Sequence, residues 1–281
     1  MTDNPLSGYF RQPKIYISLP SNLQFYPPGS VEPSETGEFP VYPMTARDEL
    51  AFKTPDALLN GQATVDVIQS CVPNIKNAWH VPSIDLDAIL IAIRIATYGD
   101  MMDINTVIPN INEERTYQLD LKTTLDSLRE NEFEPRVIID DLVVNIRPLT
   151  YKEFTQSALK TFEEQRIFAV VNNEEMPEEQ KLAQFQQSFK KLNELTVGII
   201  EDSIVSIEVN DTVVDNKQHI SEFLANADKN FYTKLTQHIE NERDKFKIKP
   251  VTVETTQEDQ EKGAPASYEF PVLFDQSNFF E

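Results

Sequence analysis

The stretch "SIDLDAILIAIRIATYGD", residues 83–100, constrains the fold of this chain more than any other. Between Ile84 and Ala96, apolar residues fall on every face of a helix. Leu86, Ile89, Leu90 and Ile93 lie on one side and Ile91 and Ile95 on the other, with Ala88, Ala92 and Ala96 where neighbours can approach. A helix that is apolar all round is buried all round, so the spacing predicts a central helix with other elements packed about it. Ser83 or Asp85 is the expected cap, Asp87 suits the positive end of the helix dipole, and Gly99 supplies the stop. Arg94 is expected to snorkel at the edge of the core or to pair with a carboxylate, because burying it alone is costly. The run carries Asp85, Asp87 and Arg94 and is too short to cross a hydrocarbon layer of about 30 Å.

The rest of the chain must supply that helix with neighbours. With 281 residues, 40% of them hydrophobic, it is long enough for one large domain or two modest ones. The net charge of −21 makes the average surface repel phosphate, which argues against nucleic acid and anionic membranes as ligands. Seven glycines stand against 18 prolines, and no Gly-rich phosphate cradle occurs, which argues against nucleotide chemistry. Cys71 is the single cysteine, and "MTDNPLSGYFRQPK" lacks the apolar core of a signal peptide, so a reducing cytoplasm is the expected setting.

Four segments are expected. Residues 1–44 read as an extended β arm with strands near 14–19 and 39–44, since the prolines between them forbid a helix. Residues 45–149 hold the helical core. A helix starts at Thr45 with Asp48 and Glu49 in its first turn, restarts at Pro55 and ends at Asn60-Gly61. "QATVDVIQSCV" is a second helix and the central run a third. Strands "MMDINTVI" and "RTYQLDL" follow, then a helix "LKTTLDSLREN" and a strand "DLVVNIRPL". Residues 150–247 are mainly helical. Phe154, Ala158, Leu159 and Phe162 form one stripe and Leu182, Phe185, Phe189 and Leu192 the next, as expected of two helices paired by a short linker. Residues 248–281 form C-terminal strands and an aromatic tail, with the polar loop 254–267 expected to be loose.

Few residues suggest chemistry. His80, His219 and His238 lack metal-ligand spacing, and Cys71 lies beside Val67, Ile68 and Val72, as expected of an inert core thiol rather than a nucleophile served by His80. Asp140-Asp141 could bind a divalent cation, but an acidic pair is unremarkable among 46 acids. No catalytic residue, cofactor or metal is expected, and the chain does not read as an enzyme. Phe274, Phe279 and Phe280, by contrast, put three large apolar groups into seven residues and are the candidates for a partner-binding segment or an intramolecular latch.

The blocks "MTARDELAFKTPDALLNGQATVDVIQSCVPNIKNAW", "DLDAILIAIRIATYGDMMDI" and "FDQSNFF", in that order, resemble the contractile-tailed phage baseplate proteins that include the T4-type hub subunit and the related hub-assembly protein. The resemblance covers roughly 13–128 well and 248–280 more loosely. It implies a structural or assembly role in the baseplate hub through contacts with other tail proteins. The alternative it leaves open is a transient chaperone, for example for the tape-measure protein, that is absent from the virion. Host cytoplasm during assembly, and the tail baseplate afterwards, are the implied locations. In the family pattern a Cys-Pro-x-Cys turn stands where this chain has Ile108-Pro109-Asn110-Ile111, and a second cysteine pair stands near "TVETTQEDQ". The resemblance therefore implies an α+β fold, mainly helical, in which a small zinc-ribbon-like β knuckle without metal joins residues near 104–121 to the C-terminal strands. An apolar isoleucine pair replaces the thiolates there.

Overall fold

The computed structural model describes residues 4–52, 61–171, 177–210 and 212–272, which form an α+β fold around three apolar clusters. The first cluster surrounds the helix Ser83–Tyr98, and 11 of its 16 residues are buried, as an all-round apolar helix requires. The N-terminal arm lies on this helix. Strands Ile15–Ile17 and Phe39–Val41 pair antiparallel, and Ile17, Phe39 and Val41 are fully buried. The helix Gln62–Cys71 packs through Val67, Ile68 and Cys71, and the helix Leu121–Arg129 through Leu121, Leu125 and Leu128. Gly61 starts the helix Gln62–Cys71 at φ 77°, and a Cβ there would meet the Tyr151 hydroxyl at 3.0 Å. Only glycine permits both that backbone and that approach. The expected restart at Pro55 lies outside the described residues.

Capping meets the expectation at one helix and departs from it at another. Thr45 and Asp48 form a reciprocal box at the start of Ala46–Phe52, as foreseen. The central helix, however, is preceded by Pro82, and no side chain caps it. Asp85 is turned into the core, where it accepts hydrogen bonds from the Ser21 amide at 2.8 Å and from the Ser21 hydroxyl. Burial pushes its pKa up to about 6 in spite of these bonds. A residue expected to cap its own helix instead clamps the N-terminal arm to it. Arg94 pairs with no carboxylate among the described residues. Its guanidinium carbon sits 4.6 Å from the centre of the Tyr98 ring, a cation–π contact that takes the place of a carboxylate partner, one of the two settings expected for it.

The second cluster is built on a four-stranded antiparallel sheet, Arg136–Ile139, Leu142–Ile146, Ile204–Val209 and Thr212–Val214 in that order. The helices Lys217–Asn226 and Lys229–Asp244 cover it with Ile220, Leu224, Phe231 and Leu235. Asp140-Asp141 is the two-residue turn of its first hairpin. Asp140 takes φ 54°, a conformation aspartate tolerates, and pairs with Lys234 at 3.0 Å. Between the first hairpin and the last two strands, the helices Tyr151–Val171 and Glu178–Ser203 pack against each other, with Lys191 bonded to Glu164 at 3.0 Å. The apolar stripes of this pair are only half covered. Phe154, Phe162, Leu182, Phe185 and Phe189 are each between 45% and 58% exposed, while Ser188 and Glu164 are buried.

The third cluster is the knuckle. The hairpin Met101–Val107/Glu114–Asp120 meets the paired strands Val251–Glu254 and Ser267–Phe270, although well over a hundred residues separate them in sequence. Tyr117 stacks on Phe270 at 5.7 Å and meets Tyr268 edge-on at 6.5 Å. Ile108 is fully buried against Ala264, Tyr268 and Phe270, with Ile111 packed on the same cluster. The loop 254–267 is not loose. Thr256 and Asp259 form a capping box on the short helix Gln257–Glu261, and Asp259 takes both terminal nitrogens of Arg115 at 3.0 and 3.2 Å. The polar composition that suggested a loose loop is the material of this cap.

Candidate interaction surfaces

Where the first and second clusters adjoin, a groove of about 570 Å³ opens between them. Leu86 and Asp87 of the central helix form one wall, Phe154, Ala158 and Phe162 of the helix Tyr151–Val171 another, and Ile239, Arg243, Phe246 and Lys247 the end of a third. The sequence explains each wall. The central helix is apolar on all sides and so has a side left over. The helix Tyr151–Val171 spends Tyr151 on Trp79, which it stacks at 5.6 Å, and so turns Phe154 and Phe162 elsewhere. Asp87 lies near the positive end of the helix dipole, as expected, and its carboxyl faces this groove. It finds neither donor nor cation among the described residues, and burial raises its pKa to about 6. Arg147, at the rim, is tied to Glu153 by two bonds of 2.7 and 2.9 Å, and these hold the Glu153 carboxyl down at about 2 against its own burial.

A second, shallower surface runs along the helix Glu178–Ser203. Phe185 and Phe189 stack at 6.4 Å, and with Val197 and Gly198 they line a trough of about 550 Å³ open to solvent. Exposed stripes of this kind on an otherwise charged surface are the ordinary mark of a protein-contact face.

Nothing in the described residues resembles a catalytic constellation. The Cys71 thiol is fully buried and its pKa is pushed up to about 12, first by desolvation and then by Asp48, so it is protonated at neutral pH. Among the described residues no three His, Cys, Asp or Glu side chains are placed to share a metal, and no helix is long and apolar enough to cross a membrane. The candidate residues Phe274, Phe279 and Phe280 lie outside the described residues. Sequence reasoning missed the groove because its walls come from three distant helices. The one local signal was an acid, Asp87, inside an apolar run.

The described residues thus form an α+β protein of small sheets with apolar helical faces left exposed. Residues 30–266 match the family described as T4 bacteriophage base plate protein, and the chain belongs to that family. Neither the curated proteins nor the solved structures searched contain a match.

Proposed function

We propose that the protein is a structural or assembly component of the hub of a contractile-tail baseplate and that it acts by protein contact rather than by catalysis. The family match supports a baseplate role, and the observation that carries the contact mechanism is the exposed stripe of Leu182, Phe185, Phe189 and Val197 on a folded helix. Its partners are other tail and baseplate proteins, the tape-measure protein among the candidates. Quantitative mass spectrometry of purified virions tests the role: a permanent hub component is present in a fixed ratio to the other baseplate proteins. Absence from the virion, with tail assembly still dependent on the gene, establishes the transient chaperone instead. Changing Phe185 and Phe189 together to aspartate is expected to leave a folded protein that no longer joins the assembling tail. Normal assembly by that variant would remove the stripe from the mechanism.

A further inference from the structure

We propose that the groove between the first two apolar clusters is the docking site for the chain's own segment 273–281, "LFDQSNFFE", which acts as an intramolecular latch across them. Three observations on the described residues support that occupant, and none depends on the hub reading.

The first is position. Val272, the last described residue, is 8% exposed and sits in a recess with Ile248 and Lys249. One step back along the same stretch, Phe246 and Lys247 line the groove. Val272 and the groove are thus linked through the one stretch 246–249, and nine residues can span roughly 30 Å when extended. The second is apolar chemistry. Phe154 and Phe162 turn toward a cavity of about 570 Å³ while 48% and 54% exposed, and Leu273, Phe274, Phe279 and Phe280 are side chains of the type that fills such a space. The third is polar chemistry. In a chain of net charge −21 a further acidic segment is repelled by most of the surface, but the groove's rim carries Arg243 and Lys247. Arg243 spends only its Nε, on Asp244, among the described residues, which leaves its terminal nitrogens for Asp275 or Glu281. The amide and hydroxyl donors of Gln276, Ser277 and Asn278 suit Asp87, the acceptor without a donor on the opposite wall.

Hydrogen exchange followed by mass spectrometry on the full chain, on its Phe279→Ser/Phe280→Ser variant and on a chain ending at Val272 tests the proposal. The expected result is exchange about tenfold faster or more across 154–162 and 239–247 in both altered chains, with the central helix unchanged. The synthetic peptide LFDQSNFFE added to the shortened chain restores protection there, and Ala158→Trp, which fills the groove, abolishes that rescue. Unchanged exchange at 154–162 and 239–247 in the full-length double variant overturns the proposal, even if the shortened chain fails to fold. So does equal peptide binding by the intact chain, whose groove would then be empty. Protection that appears only with dimer formation also overturns it, since the segment would then occupy the groove of a second copy.

Discussion

Two helices of this protein carry large apolar side chains at helical spacing and meet opposite fates, the first being much the richer in them. The helix Ser83–Tyr98 buries Ile84, Ile89, Ile91 and Ile93 almost completely, whereas the helix Glu178–Ser203 leaves Leu182, Phe185 and Phe189 about half exposed. The difference lies in what surrounds each. The central helix receives the arm, two flanking helices and the hairpin Met101–Val107/Glu114–Asp120, while the outer helix has one helical neighbour along most of its length. Apolar spacing gives a helix and a preferred face. Burial requires partners, and an apolar face that stays half exposed is the kind of surface another molecule can cover.

Truncation at the two helices sharpens that contrast and should give the largest gap. Ile91→Ala or Ile93→Ala, at fully buried positions, is expected to cost about 2–5 kcal/mol in urea unfolding. If either costs under about 1 kcal/mol, the central helix is not the keystone that its packing makes it.

The clamp between arm and central helix supplies a pH test. The folded pKa of Asp85, about 6, lies above the ordinary 3.8, so folding favours its protonated form. Its contribution is complete below about pH 4 and is lost as pH rises through about 6, a fall of about 3 kcal/mol at most. Asp87 acts in the same direction. Glu153 has the opposite sign: its pKa is lowered to about 2, so its contribution is present above about pH 4.5 and is lost as pH falls through 2. Unfolding measured from pH 4 to 7 should therefore show a decline that Asp85→Asn flattens. A variant with the same slope as the parent would remove Asp85 from the account.

Smaller still is the effect of the arm's own anchor. Ser21→Ala deletes the hydroxyl donor to a buried carboxyl and is expected to cost about 1–3 kcal/mol, with faster hydrogen exchange at residues 15–23. The least effect on stability is expected at the outer helix. Phe185→Ser and Phe189→Ser should stay within roughly 0.5 kcal/mol of the parent while impairing tail assembly. A large loss of stability there would make the stripe part of this protein's core and erase the contrast.

The sequence by itself determined the central helix, its stop at Gly99, the two arm strands and the helices Tyr151–Val171 and Glu178–Ser203, because each rests on local spacing and turn chemistry. It also carried the family through separated blocks, and the resemblance placed residues near 104–121 beside the C-terminal strands, where Tyr117 indeed stacks on Phe270. Tertiary structure alone decided the rest. Asp85 became a clamp because Ser21, 64 residues away, arrives beside it with two donors. The polar stretch 254–267 became an ordered cap because Arg115 reaches Asp259 across 144 residues. The strand Arg136–Ile139 and the sheet it enters depend on partners from 204–214, and a strand without its neighbours has no local signature strong enough to announce it. Local rules act over a few residues. Which acid meets which donor, and which apolar face stays open, are fixed only when distant segments come together.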